Sequence, residues 1–236
     1  MTVYLVGAGP GSPDLLTVRA ARLLAAADIV VHDRLVDPRI LEIAPPTATV
    51  IDAGKYPGGP SDAQAHINAV LVDAARRPTV VVRLKGGDPY VFGRGGEEAV
   101  ALRSAGVEVA VVPGVSSAIA GPAAAGIPVT MRGLSSGFTV VTGHQDPAGT
   151  DPLDWEALAR LRTTLLVLMG ASRAAAIAGR LLTAGMAPAT PVAAVESATS
   201  VEQRVLRSRL DDLADLAEGT IRAPAVLAVG EVAGLD

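Results

Sequence analysis

Two stretches concentrate the residue types from which a ligand site is built: residues 6–14, VGAGPGSPD, and residues 83–98, RLKGGDPYVFGRGGEE. In the first, a strand-like run feeds Gly7-Ala8-Gly9 into a helical pattern, the context in which a G-x-G-x-x-G turn cradles the pyrophosphate of a dinucleotide. Asp33 closes the next strand-like run, where such a fold places the carboxylate that holds a ribose. The match fails in two places. The third glycine falls at Gly11, one position early, and Pro10 removes a backbone N–H from the turn. A tight strand-to-helix turn, with Ser12 as N-cap and Pro13 in the first helical position, accounts for much of the same pattern.

The second stretch is more informative. Glycines and prolines between a strand and a helix let backbone N–H and C=O groups approach a ligand that side chains would exclude. Pro89 restricts Asp88 to an extended conformation, so its carboxylate is positioned rather than free.

The elements that carry these loops follow from hydrophobic spacing. Strand-like runs VYLVG, DIVVHD, TATVIDAG and TVVVRLKGG alternate with helical patterns such as DLLTVRAARLLAAA and SDAQAHINAVLVDAARR. Ser61 with Gln64 forms a capping box, and Gly106 stands where a helix beginning near Gly95 should stop. Further strands are expected over 107–112, 138–142, 164–169, 191–195 and 225–229. The fold class is α/β with mostly buried strands. Low charge and clustered prolines over 113–128 mark a hinge, giving an N-terminal α/β lobe over 1–112 and a C-terminal α/β lobe over 113–236. A cleft between two such lobes is where a pocket is expected.

Composition narrows the function. Half of the 236 residues are hydrophobic and 19% are charged, as in a compact globular protein. The net charge of -4 offers no broad basic field for nucleic acid. With no cysteine, disulfides, thiolate catalysis and cysteine metal sites are excluded, in keeping with a reducing cytoplasm. His32, His66 and His144 lack metal-ligand spacing, so no metal is expected, and His144 in TGHQD reads as a cleft or hydrogen-bonding residue. Strand-like sequence from Val3 leaves no room for a signal peptide, and Pro113, Pro122 and Pro128 argue against a membrane span in the uncharged stretch 109–131. A cytoplasmic protein is expected.

In order along the chain, VGAGPGSPDLLT, VVHDRLV, RLKGGDPYVFGRGGEE, VVPGVSSA, GIPVTMRG, VTGH, LMG, TPVAAVESAT, EQRV and APAVLAVGEV together resemble the tetrapyrrole methylase family, class III methyltransferases that use S-adenosyl-L-methionine. The resemblance spans nearly the whole chain, and the pairing of GAGPG with GGDP-x-x-FGRG is specific to the family. It implies two α/β lobes with the cofactor in the cleft between them and S-adenosyl-L-homocysteine as its product. It also implies a homodimer, a small-molecule tetrapyrrole substrate, no metal, no nucleic acid and no membrane. The DRLV and GK segments narrow the implied reaction to C-methylation of uroporphyrinogen III at C2 and then C7, giving precorrin-2 for sirohaem or cobalamin biosynthesis. The nearest alternative is another precorrin methylase, and the more distant one is an RNA or protein methyltransferase on the same scaffold. A nonenzymatic nucleotide-binding module rests on the glycine turn alone. The chain shows no extra segment for dehydrogenation and iron insertion, so a fused multifunctional enzyme is not expected.

Carried over position by position, Pro10, Gly86, Gly87, Asp88, Val91, Ser116, Ser117, Met169, Ala198 and Ala225 match the family's cofactor contacts, several of which are made by backbone. Asp33 matches the proposed proton acceptor and Lys55 the proposed proton donor; a turn carboxylate and a surface lysine are the alternatives. With only two lysines against 18 arginines in an acidic chain, cations for a polycarboxylate substrate must be concentrated locally. Arg34, Arg83, Arg94 and Arg132 lie within the matched motifs, and arginine forks pair carboxylates bidentately; a structural ion pair is the alternative for each. Tyr56, Pro60 and Met131 depart from the family pattern in segments expected to face the substrate. The implied chemistry suits this inventory. A sulfonium is already an activated leaving group, alignment supplies up to roughly 7–11 kcal/mol, and a positioned base contributes about 10²–10⁴-fold.

Overall fold

The computed structural model describes residues 2–55, 60–76, 79–143, 153–216 and 219–235, at backbone level only for 55 and 60–62. The chain divides into two compact units, Met1–Ser116 and Ser117–Asp236, each built on its own five-stranded sheet.

The first unit runs β1 (Thr2–Gly7), α1 (Val18–Ala25), β2 (Ile29–His32), α2 (Pro38–Leu41), β3 (Thr49–Asp52), α3 (Pro60–Ala74), β4 (Val81–Lys85), α4 (Gly95–Ser104) and β5 (Glu108–Val112). Its strands lie in the order β3-β2-β4-β1-β5 and all pair in parallel. A parallel sheet is covered on both faces, which is why β1 and the first half of β4 read as apolar runs. One face packs Leu24 and Ile40 against Val6, Val30 and Leu84, and the other packs Leu71 and Leu102 against Leu5, Val31 and Val81. Because every strand points the same way, the loops after Gly7, His32, Asp52, Lys85 and Val112 all leave at one edge of the sheet, where α/β folds place their ligands.

Local capping differs from expectation at two helices. Ser12 stands at the N-cap of a single 3-10 turn, Pro13–Leu15, without capping it through its side chain. The α-helix begins only at Val18, where the Thr17 hydroxyl accepts from Ala20 N–H at 3.1 Å. Helix α3 begins at Pro60, so Ser61 lies inside its first turn rather than ahead of it. Gly106, at φ +76°, does follow the end of α4.

The second unit runs α5 (Ser117–Ala124), β6 (Phe138–Thr142), α6 (Trp155–Arg160), β7 (Thr164–Leu168), α7 (Ala174–Thr183), β8 (Pro191–Glu196), β9 (Arg204–Arg209), α8 (Leu210–Ala214) and β10 (Ala225–Val229). Strand order is β6-β7-β10-β8-β9; β6 and β7 pair in parallel, and the remaining pairs are antiparallel. Leu165, Val167, Val192, Ala194 and Leu227 face α7 and α8, while Leu166, Ala193 and Ala228 face Ala118 and Val232. Strand β9 was not expected from the hydrophobic pattern. Its sequence, RVLRSR, is mostly exposed, and as an edge strand it carries arginines that oppose further pairing. No helix among the described residues is long and apolar enough to cross a membrane.

Candidate functional site

In the first unit, three strand-end loops close on one another backbone to backbone. Ala8 N–H donates to Lys85 O at 2.7 Å, Gly9 N–H to Gly87 O at 3.2 Å, and Gly87 N–H to Gly9 O at 2.6 Å. A Cβ on Gly7 would lie 2.5 Å from Gly114 Cα, and one on Gly114 would lie 2.2 Å from Gly87 O. These glycines are required because the loops after β1, β4 and β5 touch with no side chain between them. The seam also bears on the dinucleotide reading, since the amides of Ala8 and Gly9 are taken up by Lys85 O at the end of β4 and Gly87 O in the loop after it and are not free for a pyrophosphate.

The loop that follows β4 is fixed by contacts within itself and with the loop after β5. Asp88 Oδ1 accepts from Tyr90 N–H at 2.8 Å, and its Oδ2 accepts from Gly114 N–H at 3.1 Å. Gly95 N–H donates to Pro89 O at 3.0 Å, and a Cβ on Gly95 would lie 2.3 Å from that same oxygen. Tyr90, Val91 and Phe92 are left exposed. Phe92 and Arg94 adopt positive φ, as do Met169, Ser197 and Thr199. All five lie in segments that carry the matched motifs, and backbone strain of this kind gathers at functional sites.

Beside the seam lies a buried ionic cluster. Asp33, the residue after β2, presents a carboxylate one third exposed (33%), and Arg83 Nη2 donates to its Oδ1. Arg83 is itself 1% exposed, and its Nε and Nη2 also donate to Glu98 Oε1 at 3.1 and 3.0 Å. Lys85 Nζ lies 2.9 Å from the same Glu98 oxygen and 3.7 Å from Asp33 Oδ2. Burial pushes the Lys85 ammonium below its ordinary pKa and Arg83 adds to that push, while Asp33 and Glu98 oppose it. Spacing explains the placement: Arg83 and Lys85 are two apart on β4, so both project from one face, and Glu98 of α4 covers that face.

This corrects the expected role of Arg83. Buried and paired with two carboxylates, it holds Asp33 rather than reaching out to a substrate. Arg34 and Arg94 are exposed near strand ends of this unit, with Arg94 bonded to Glu97 at 2.9 and 2.6 Å. That bond holds the Glu97 carboxyl below its usual range. Lys55 closes a 3-10 turn after β3, where a Cβ on Gly54 would lie 2.8 Å from Arg34 Cβ; its side chain lies outside the described residues, as do Tyr56 and His144. Pro10 is half-buried in the turn after β1, and Ser116 ends the unit.

In the second unit, Met169 follows β7 at φ +56° and is 50% exposed, one residue beyond the Leu168–Val226 pair. Ala225 opens β10 on the adjoining strand. Ser117 opens α5, whose Gly121 packs on Val226, with Ala198 beyond it. The loop carrying Ala198 is fixed at its base: Ser197 N–H donates to Pro224 O at 2.8 Å, and Glu196 accepts from Arg204 Nε and Nη2 and from Arg222 N–H, each at 2.8 Å. Arg204 holds the buried Glu196 carboxyl below its usual range. Arg132 lies exposed in the turn that joins Met131 to Ser135. Thus Ser117, Met169, Ala198 and Ala225 gather in one unit, and Pro10, Gly86, Gly87 and Asp88 in the other. Glu98 and Glu196 were missed in sequence, and Gln64, expected in a capping box, instead donates to Asn68 Oδ1 at 3.1 Å and Glu98 Oε1 at 3.5 Å. The available signal for Glu98 was two cations at alternate positions in a buried strand, which demand a carboxylate over the same face.

The class of protein follows from the fold and these motifs. Residues 2–214 match the model of the Tetrapyrrole (Corrin/Porphyrin) Methylases, and the chain belongs to this family. Over 235 residues it is 50% identical to an S-adenosyl-L-methionine-dependent uroporphyrinogen III methyltransferase of Methanosarcina barkeri, covering 99% of this chain and 92% of that one. The structure of uroporphyrin-III C-methyltransferase from Thermus thermophilus, complexed with S-adenosylhomocysteine, is similar at a TM-score of 0.84 and 44% identity, covering 98% of this chain and 93% of that one. A cobalt precorrin-4 methyltransferase of cobalamin biosynthesis shares the fold at a TM-score of 0.86 but only 29% identity, over 98% of this chain and 95% of that one.

Proposed function

We propose that the protein transfers methyl groups from S-adenosyl-L-methionine to uroporphyrinogen III, at C2 and then at C7, giving precorrin-2 for sirohaem or cobalamin. The observation that carries this reading is the likeness to the Methanosarcina enzyme at 50% identity along 99% of the chain. The residues present suit the cofactor. In the turn after β1 the Ala8 and Gly9 amides are engaged by Lys85 O and Gly87 O and Pro10 has no N–H, in keeping with a nucleoside cofactor that carries no phosphate. When bound, the cofactor supplies a methyl group activated by sulfonium charge.

The chain's own residues do the rest. Pro10, Gly86, Gly87, Asp88, Val91 and Ser116 of the first unit and Ser117, Met169, Ala198 and Ala225 of the second hold the cofactor, a set supported by its match to the family motifs. Arg34, Arg94 and Arg132 anchor substrate carboxylates; all three are exposed. Asp33 accepts the proton released after each methyl transfer, supported by a carboxylate that is partly exposed and held by Arg83. Lys55 is the proton donor by the same family match. The protein works as a homodimer in the cytoplasm, supported by the family resemblance and the absence of cysteine.

The TM-score of 0.86 to the cobalt precorrin-4 enzyme favours a second reading, methylation of a later corrin intermediate, against which stands the lower identity of 29%. Incubation with S-adenosyl-L-methionine and uroporphyrinogen III tests both. The expected product gives the sirohydrochlorin spectrum after oxidation; an unchanged uroporphyrinogen, with methylation of a cobalt precorrin instead, would overturn the first reading in favour of the second.

A further inference from the structure

The buried cluster in the first unit poses a question that the match to family motifs leaves unanswered. Glu98 is 0% exposed, and its Oε1 alone receives Arg83 Nε and Nη2, Lys85 Nζ and, at 3.5 Å, Gln64 Nε2. Its Oε2 has no hydrogen-bond partner among the described residues. Leaving a buried carboxylate oxygen bare is costly, and apolar replacement of a buried ionic cluster is often neutral or stabilising. Stability alone is therefore a weak reason for this arrangement. The cluster's one partly exposed member is Asp33.

We propose that Glu98 is a positioning residue that acts through Arg83 and Lys85 to fix the carboxylate of Asp33. The proposal rests on the reading of Asp33 as proton acceptor. Arg83 has a long side chain with many rotamers, and Glu98 Oε1 fixes the plane of its guanidinium by taking two of its N–H groups. The Nη2 of that fixed plane then donates to Asp33 Oδ1. Lys85 repeats the device, with its ammonium between Glu98 Oε1 at 2.9 Å and Asp33 Oδ2 at 3.7 Å. Two cations face two carboxylates, so the cluster is neutral as a whole, and both oxygens of Asp33 have a cation assigned to them. A base must meet its proton within hydrogen-bond reach, so holding its carboxylate at a strand end raises turnover without adding a contact to either substrate.

The test is a double-mutant cycle in steady-state methylation of uroporphyrinogen III. Glu98→Gln, which keeps shape and loses charge, is expected to lower kcat about tenfold or more while KM for S-adenosyl-L-methionine and affinity for S-adenosyl-L-homocysteine stay within about twofold. In the Asp33→Asn background the same change is expected to have no further effect. An unchanged kcat, an effect on cofactor affinity alone, or an equal fall in both backgrounds would overturn the proposal. Asp33→Asn by itself reports on the underlying reading: parental turnover removes Asp33 as the base, whereas lost turnover with an additive Glu98→Gln effect defeats only the positioning role. If Glu98→Gln does not fold, Lys85→Met/Glu98→Gln, which removes one charge of each sign, is measured instead. Parental kcat in that variant, or failure of both to fold, assigns the cluster to stability and overturns the proposal.

Discussion

The guanidinium of Arg83, at the centre of a buried parallel strand, donates to the carboxylate of Asp33 at the end of the neighbouring strand. Register makes the contact: Arg83 pairs with Val31, two residues before Asp33, and the extended side chain covers the remaining distance toward the sheet edge. A residue of the buried core is thereby tied to one at the candidate active site.

Removing that tie should cost far more stability than removing an exposed ion pair. Arg83→Met leaves Glu98 and Lys85 buried with one cation fewer, and is expected to destabilise the protein by about 3–5 kcal/mol in denaturant unfolding. Arg94→Met breaks an exposed pair and should change stability by no more than about 1 kcal/mol while raising KM for the tetrapyrrole. Similar stability losses in the two variants would contradict the different burial of the two arginines.

For Asp33 itself, Asn preserves shape and removes the basic oxygen. Turnover is expected to fall about 10²–10⁴-fold, with S-adenosyl-L-homocysteine affinity by calorimetry unchanged. A variant that turns over like the parent would exclude a catalytic role for this carboxylate.

The glycine seam makes a steric prediction. A Cβ at 114 would lie 2.2 Å from Gly87 O, so Gly114→Ala must move the loop after β4. It is expected to cost about 1–3 kcal/mol and to weaken S-adenosyl-L-homocysteine binding. At Gly96, in α4, a Cβ meets nothing within 4 Å, and Gly96→Ala is expected to stabilise by about 0.5–1 kcal/mol. Equal tolerance at the two positions in thermal unfolding would contradict the close approach.

Glu196 predicts a pH dependence. Arg204 lowers its pKa in the folded state, so its contribution is fully present above the ordinary carboxylate pKa and is lost as pH falls through the depressed folded value. Glu196→Gln is expected to cost about 1–3 kcal/mol at neutral pH. The difference from the parent should shrink on acidification below the usual carboxylate range, as followed by urea unfolding at several pH values. A difference that grew toward acid would reverse the assigned sign.

Much of the scaffold was legible because the chemistry was local. Val3, Leu5 and Val6 of β1 and Val81 and Val82 of β4 lie in apolar stretches that suit doubly covered strands, and Gly106 follows α4 in a backbone conformation that glycine adopts freely. Strand β9 was hidden because an edge strand with arginines at three of its six positions has no apolar period. The turn after β1 resembled a dinucleotide cradle because its glycines are local, while the partners that engage the Ala8 and Gly9 amides, Lys85 O and Gly87 O, lie at the end of β4 and just beyond it, distant in sequence. Arg83 looked like a substrate anchor for the same reason: its charge is written in the sequence, and its burial beneath Glu98 is set by packing.

The most direct measurement is the mass of the tetrapyrrole recovered after incubating the protein with uroporphyrinogen III and isotopically labelled S-adenosyl-L-methionine. A gain of two labelled methyl groups per tetrapyrrole, with matching release of S-adenosyl-L-homocysteine, is the predicted result. A tetrapyrrole of unchanged mass, or label appearing in added RNA or protein instead, would contradict it.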